Sequence, residues 1–147
     1  MTNSTSNATV FNIQNADQLT WNVMPLLHEV KHALHNLIKN NQTAIIDLRS
    51  IPLAPGEEEK IIKILGRGEI EAQLHALGSS EIIESQYSGV WIITHYNQDK
   101  DIISRFIEIT LLPDILSSQK EDMQEAYNNL SATLNENKPV NPSPVEI

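Results

Sequence analysis

The feature that most constrains the fold is a series of four extended runs joined by short connections. The first run, EIEAQLHAL, alternates apolar and polar side chains, with Ala72 and Leu74 on one side, as a strand with one buried face requires. The next three runs are SEIIESQY, GVWIITHYN and DIISRFIEITL. Hairpin-sized connections separate these three runs, at Ser88 and Gly89 and at residues 98–101. The sequence therefore predicts an antiparallel meander.

Three segments show helical features, and one more run predicts an additional strand. Apolar residues recur at helical spacing from Pro25 to a stop at Asn40 and Asn41, which predicts a first helix. TAIIDLRSI, rich in β-branched residues, predicts a strand. GEEEKIIKILG predicts a short second helix, with three glutamates in its first turn and Gly66 at its end.

Pro113 and Asp114 open a predicted last helix with a narrow apolar stripe. The stripe consists of Leu116, Met123, Tyr127, Leu130 and Leu134. Together, these elements predict an α+β fold, a mostly antiparallel sheet of about five strands packed with three helices.

The two ends of the sequence differ in composition from its middle. Residues 1–15 are rich in Asn, Ser and Thr and lack a clear period, which predicts a mobile N-terminal arm. Residues 135–147 contain three prolines and little to bury, which predicts a disordered tail. Residues 16–134 are then expected to form a single domain.

Charge and cysteine content exclude several function classes. Lys and Arg total 10 against 19 Asp and Glu, a formal charge of −9, and no basic run is present. Binding to nucleic acid or to an anionic membrane surface is therefore not expected, whereas a basic peptide would be attracted. Cysteine is absent, so a thiolate nucleophile or a cysteine-bearing zinc site is excluded. The sequence shows neither a secretory signal nor a membrane span, and a cytoplasmic location is expected.

The stretch HEVKH has the H-E-x-x-H spacing of helical zinc proteases, with His28 and His32 as ligands and Glu29 as base. On a helical wheel these residues and His35 lie opposite to the apolar stripe of the first helix. Because they point to solvent, no catalytic chemistry is expected. The alternative is a nickel- or zinc-handling protein that binds metal through His28, His32 and His35.

A polar group on the predicted sheet is a second candidate site. Glu71, Glu84 and Glu108 are expected on neighbouring strands, with His95 on the adjacent one. Trp91 lies on the same side of its strand as His95 and would be exposed if the opposite side faces the core. An exposed aromatic among acids is typical of a docking surface. The alternative is that both faces of this strand are covered.

Three stretches together resemble the C-terminal domain of the HupH/HyaF family of nickel-iron hydrogenase expression and formation proteins. They are LRSIPLAPGEEEKIIKILGRGEIEAQL (48–74), IIESQYSGVWIITHYN (82–97) and FIEITLLPDIL (106–116). The resemblance implies a non-catalytic assembly chaperone without a cofactor. It also implies a hydrogenase subunit as client, with the iron–sulfur small-subunit precursor expected, and leaves open a second maturation factor as a further partner.

The resemblance also selects motif positions. Gly66, Gly68 and Gly89 are expected at structural turns. The expected partner-binding residues are Glu71, Glu84, Trp91, His95, Asn97 and Glu108. The sequence departs from the family pattern at Ser85, where Thr is expected, and at Ile92, where a second Trp is usual. Family chains are also commonly longer, with an N-terminal half that is not found here.

Overall fold

The structure, a computed structural model, describes residues 21–136. In this range the chain forms three α helices, five strands and one 3-10 turn. They are α1 (Val23–Asn40), β1 (Ala44–Asp47), α2 (Glu57–Leu65), β2 (Glu71–His75), β3 (Ser79–Glu84), β4 (Val90–Tyr96), β5 (Ile102–Ile109), the 3-10 turn (Asp114–Leu116) and α3 (Lys120–Glu136). The predicted α+β class is confirmed. No helix within residues 21–136 has the length and apolar character needed to cross a membrane.

The five strands form one sheet in the order β1-β5-β4-β3-β2, and every neighbouring pair is antiparallel. Strands β2 to β5 are neighbours in both sequence and space, so the predicted meander is confirmed. Strand β1 is added beside β5, with Ile46 opposite Ile107. The central strands are therefore β5, β4 and β3, and the longest buried run lies in β4.

One face of the sheet packs against α1 and α2. The buried positions of α1 recur every three or four residues, as the sequence predicts for a helix that lies on a core. The helix residues of this core are Val23, Leu26, Val30, Ala33, Leu37, Ile61 and Leu65. Opposite them the sheet contributes Ile46, Val90, Ile92, Ile107 and Ile109. These branched aliphatic side chains suit a close-packed interface between helix and sheet.

The first turn of α2 contains a buried carboxylate. Glu57 is 1% exposed, and its Oε2 accepts hydrogen bonds from the Ala54 backbone N at 2.9 Å and from Asn22 Nδ2 at 3.3 Å. A buried acid is tolerated when such donors replace water. Since Asn22 directly precedes α1, this carboxylate links the starts of the two helices.

The turn between α2 and β2 is attached to the end of β3 by backbone and amide hydrogen bonds. Gly66 ends α2 with φ 66°, a conformation that favours glycine. Gly68 N donates to the Glu84 carbonyl at 2.7 Å, and Gln86 donates from its side chain to Ile64 O at 2.8 Å. The L-G-R-G-E-I segment is therefore a structural joint between helix and sheet, and its glycines permit close backbone approach.

Residues 114–136 belong to a second compact unit, distinct from the unit that ends at Pro113. The prediction that Pro113 and Asp114 open a helix is wrong, because they lead only into the 3-10 turn and α3 begins at Lys120. Two serines stand between them, and serine favours turns over a helix interior because its hydroxyl competes for backbone groups.

The terminal predictions are only partly addressed by the described residues. Helix α3 extends to Glu136, so residues 135 and 136 are helical rather than part of a disordered tail. The predicted arm at 1–15 and the remainder of the tail lie outside the described residues. The single domain over 16–134 stays a prediction.

Candidate functional site

Strand register brings together four of the predicted partner-binding residues on the sheet face that points away from α1 and α2. Glu84 and Glu108 lie directly opposite Trp91, one on each neighbouring strand. His95 lies on the same face, four residues further along β4. The face therefore carries a row of two carboxylates with an indole between them.

The expected exposure of Trp91 is wrong. Its side chain is 3% exposed, and its Nε1 donates to the Thr110 carbonyl at 3.2 Å. Ile82 and Ile93, on the same face, are also buried. Both faces of β4 are thus shielded from solvent, which is the alternative that the sequence left open. A buried indole whose N–H is satisfied within the chain is a core residue rather than a docking anchor.

His95 lies in a half-buried polar pair. Its Nδ1 is 2.7 Å from the hydroxyl oxygen of Ser80, and its ring meets Phe106 edge-on at a centroid distance of 5.9 Å. The sequence did not indicate this serine–histidine pair. Its cross-strand neighbours are Ser80 and Ser104, so neither supplies the carboxylate that orients the imidazole in hydrolases with a catalytic triad. The pair therefore suits a structural role.

Glu71 and Asn97 do not join this group. Glu71 is paired with Ile83. Because Ile83 and Glu84 are consecutive residues of β3 and point to opposite faces, Glu71 lies on the sheet face opposite to Glu84. There it forms a surface ion pair with Arg67 at 3.2 Å. Asn97 stabilises the turn between β4 and β5, where its Oδ1 accepts a hydrogen bond from Asp101 N at 2.9 Å. The prediction that places Glu71 beside the other two glutamates is wrong.

The histidine stripe of α1 is in the position that the sequence predicts. His28, Glu29, His32 and His35 are all exposed. Within residues 21–136, no group of three or more His, Cys, Asp or Glu side chains is arranged to hold a metal ion. The metal-handling alternative therefore gains no support from the geometry.

An accessible apolar groove lies between α1, α2 and the turn before β4. Its volume is about 260 Å³. It is lined by Leu27, Val30, Lys31, Leu34, Ile64, Leu65, Tyr87 and Val90. Leu34 also borders a neighbouring open depression that includes Ile38 and Leu111, side chains that are 72% and 75% exposed. Apolar surface that remains accessible beside a packed core is typical of a binding groove.

The sequence contained only an indirect signal for this groove. Leu27, Leu34 and Ile38 widen the apolar stripe of α1 beyond the residues buried in the core. The width of the stripe alone does not show whether these side chains pack in the core or line an open groove. The outcome depends on where α2 crosses α1.

Comparison with known proteins shows the family. Residues 20–136 match the conserved region described as HupH hydrogenase expression protein, C-terminal conserved region. The chain belongs to this HupH family. The resemblance inferred from the sequence is thereby confirmed, and the match covers the α helices and the complete sheet.

Two curated relatives of this HupH-family chain carry hydrogenase names. It is 22% identical over 105 residues to the hydrogenase expression/formation protein HupH of Rhizobium leguminosarum bv. viciae, covering 71% of this chain and 37% of that protein. It is 20% identical over 113 residues to the hydrogenase expression/formation protein HoxQ of Cupriavidus necator, covering 77% and 40%. The chain thus spans about two fifths of the length of these relatives.

A solved structure shares the fold and about a third of the aligned residues. The hydrogenase expression protein HupH from Thiobacillus denitrificans superposes with a TM-score of 0.74 at 34% identity. The superposition covers 78% of this chain and 96% of the solved chain. The two departures from the family pattern occupy buried positions here, with Ser85 at 1% and Ile92 at 4% exposure, so they concern packing.

Proposed function

We propose that this chain is a non-catalytic accessory protein of nickel-iron hydrogenase maturation. Its client is a hydrogenase subunit precursor, the iron–sulfur small subunit before export, and it acts in the cytoplasm. The observation that carries this proposal is the match of residues 20–136 to the HupH C-terminal region. The hydrogenase expression and formation names of its relatives support it further.

The apolar groove between α1 and α2 is the part of the described chain best suited to hold such a client. A binding protein needs exposed apolar surface that it can bury against its client, and Trp91, the aromatic side chain of the sheet face, is already buried in the core. Leu27, Leu34 and Ile64 line the groove, and Tyr87 at its edge is 47% exposed. An apolar client segment of a few residues would fit a groove of about 260 Å³.

The charge of the chain supports a basic client. With a formal charge of −9, the chain attracts a precursor whose leader carries arginines and speeds the encounter. The groove itself has Lys31 on its rim, so contacts within it are mainly apolar. Charge then contributes to the approach of the client, and the groove to its retention.

Capture from native cells tests the function. The tagged chain is isolated from its own cells under conditions that induce hydrogenase, and mass spectrometry identifies the proteins that accompany it. We expect the unprocessed small subunit to be recovered. Recovery of no hydrogenase component, while the hydrogenase proteins are demonstrably expressed, would contradict the proposal.

A pair of variants tests the surface. Tyr87→Ala removes an exposed ring at the groove and should reduce recovery of the precursor at least about fivefold, because aromatic side chains often carry much of an interface's binding energy. Leu77→Ala is the matched control, since Leu77 is 86% exposed and does not line the groove. Equal recovery with both variants would exclude the groove while leaving the accessory function intact.

A further inference from the structure

Helix α3 carries an apolar stripe that is exposed to solvent. Met123, Tyr127, Leu130 and Leu134 are 52%, 67%, 60% and 58% exposed, and the helix has no buried residue. Four large apolar side chains on one side of a 17-residue helix are costly to leave in water. An apolar partner surface laid on the stripe would remove this cost.

The spacing of the stripe limits what that occupant can be. Successive members are four, three and four residues apart, the narrow a/d pattern that one facing helix fills in a coiled coil. The pattern is the same in both directions along the helix. An identical helix in antiparallel orientation would therefore place Met123 against Leu134 of the second copy, and Tyr127 against its Leu130. All four apolar positions would then face an apolar partner.

The charges of α3 also suit self-association. Its four acids are Glu121, Asp122, Glu125 and Glu136, and they lie about 110–170° away from the stripe at 100° per residue. The positions directly beside the stripe, at the edges of a contact with a second helix, are Gln124, Ala126, Ser131 and Thr133. They carry no charge, so two copies meet without the like-charge repulsion that often selects against identical partners.

The ends of the helix favour the antiparallel orientation. Lys120 lies about 50° from the centre of the stripe at 100° per residue, so an antiparallel pair keeps the two copies of Lys120 at opposite ends of the contact. A parallel pair would instead bring Lys120 close to its own copy. Antiparallel helix dipoles are also mutually favourable.

We propose that the chain self-associates through α3, which forms an antiparallel two-helix seam with α3 of a second copy about a two-fold axis. The seam spans about 16 Å at 1.5 Å per residue, so the contact is small. Small interfaces are generally transient, so the complex is a monomer–dimer equilibrium. This inference does not depend on the proposed function.

Sedimentation equilibrium of the full chain tests the proposal. The average mass should rise from 16.5 kDa toward twice that value as concentration increases from roughly 5 to 500 μM, since association follows mass action. Leu130→Lys should weaken dimerisation at least about tenfold, because it places a cation on the seam. Ala132→Lys adds the same charge to the far side of the helix and should leave dimerisation unchanged.

Cross-linking tests the orientation. The chain has no cysteine, so single cysteines can be introduced at Ala126 and Thr133, which lie beside one another only across an antiparallel seam. A mixture of Ala126→Cys and Thr133→Cys proteins should form the mixed disulfide far faster than either protein forms its own.

Three results would overturn the proposal. They are a chain that stays monomeric at every concentration, a Leu130→Lys variant that dimerises like Ala132→Lys, and the absence of a preferred mixed disulfide. Circular dichroism of each variant controls for folding, and Leu130 is exposed enough for its replacement to be tolerated. If the chain proves monomeric, the rate at which peroxide oxidises the Met123 thioether gives the reason. Slow oxidation would show that the stripe is covered within one chain, which also contradicts the proposal.

Discussion

Trp91 illustrates how a side chain's neighbours decide whether it is a core residue or a binding residue. The indole lies between two glutamates in the strand register, a neighbourhood that suggests a wet surface. Its 3% exposure and its hydrogen bond to Thr110 O show that it belongs to the core. Both glutamates are half-buried beside it. They therefore flank an aromatic ring that is packed in the core.

Replacing Trp91 should therefore affect folding rather than recognition alone. Trp91→Ala is expected to lower the free energy of unfolding by about 3–5 kcal/mol, through lost burial and the cavity that remains. Trp91→Phe keeps most of the packing and should cost less, chiefly because Thr110 O loses its donor. Urea denaturation followed by circular dichroism measures both values. An unchanged midpoint for Trp91→Ala would show that the indole is not part of the core.

At the scale of elements, the joint between α2 and β2 determines how the helix layer meets the sheet. Three hydrogen bonds connect the end of α2 and the turn after it to the end of β3 and the residues that follow. They are Gly68 N to Glu84 O, Gln86 N to Leu65 O, and Gln86 Nε2 to Ile64 O. Because α2 also forms one wall of the apolar groove, this joint positions the groove as well as the core. The L-G-R-G-E-I segment is thus explained by backbone geometry.

Gly68 is the position where this joint tolerates no side chain. A Cβ atom there would lie 2.5 Å from the Ser85 carbonyl oxygen, so Gly68→Ala must displace backbone and weaken the bond to Glu84 O. We expect a loss of about 1–3 kcal/mol of stability, as for other overpacked sites. Thermal unfolding measures it. The neighbouring Arg67→Ala variant is the control, and removing its exposed ion pair with Glu71 should change stability little. Equal stability of the two variants would argue against the close approach.

At the scale of the whole molecule, charge and apolar surface are separated. The formal charge is −9, yet the groove between α1 and α2 is lined almost entirely by aliphatic and aromatic groups, with Lys31 as its one cation. Under the proposed function, long-range attraction of a client would come from the net charge and short-range contact from the groove. The association rate of such a complex would then depend on ionic strength, whereas its dissociation rate would depend on the apolar contacts in the groove.

The response to salt should reveal this division. Raising the ionic strength from about 50 to 300 mM is expected to slow association with the small-subunit precursor several-fold, because the field is screened beyond a Debye length of roughly 6–14 Å. The dissociation rate should change little, because apolar contacts in the groove are not screened. Surface plasmon resonance separates the two rates. An association rate that does not respond to salt would contradict electrostatic steering.

The sequence by itself determined the order and type of the α helices and strands in residues 21–136, though not the 3-10 turn, because the periods of 3.6 and 2 and the stop signals at Asn41 and Gly66 are local properties. It also placed His28 and His32 on the solvent side of α1. The turn at Gly66 was likewise predictable from the sequence, because a glycine after a run of helical spacing is typical of a helix end.

Only the tertiary structure decided which surfaces remain open. Alternation in β4 distinguishes two faces but cannot tell that both are covered, so Trp91 was expected at the surface. Strand register put Glu71 on the face opposite to Glu84, a difference of one residue that depends on pairing between strands. The groove beside Leu34 exists because of where α2 crosses α1. Each of these outcomes depends on contacts between segments distant in sequence, which no local pattern specifies.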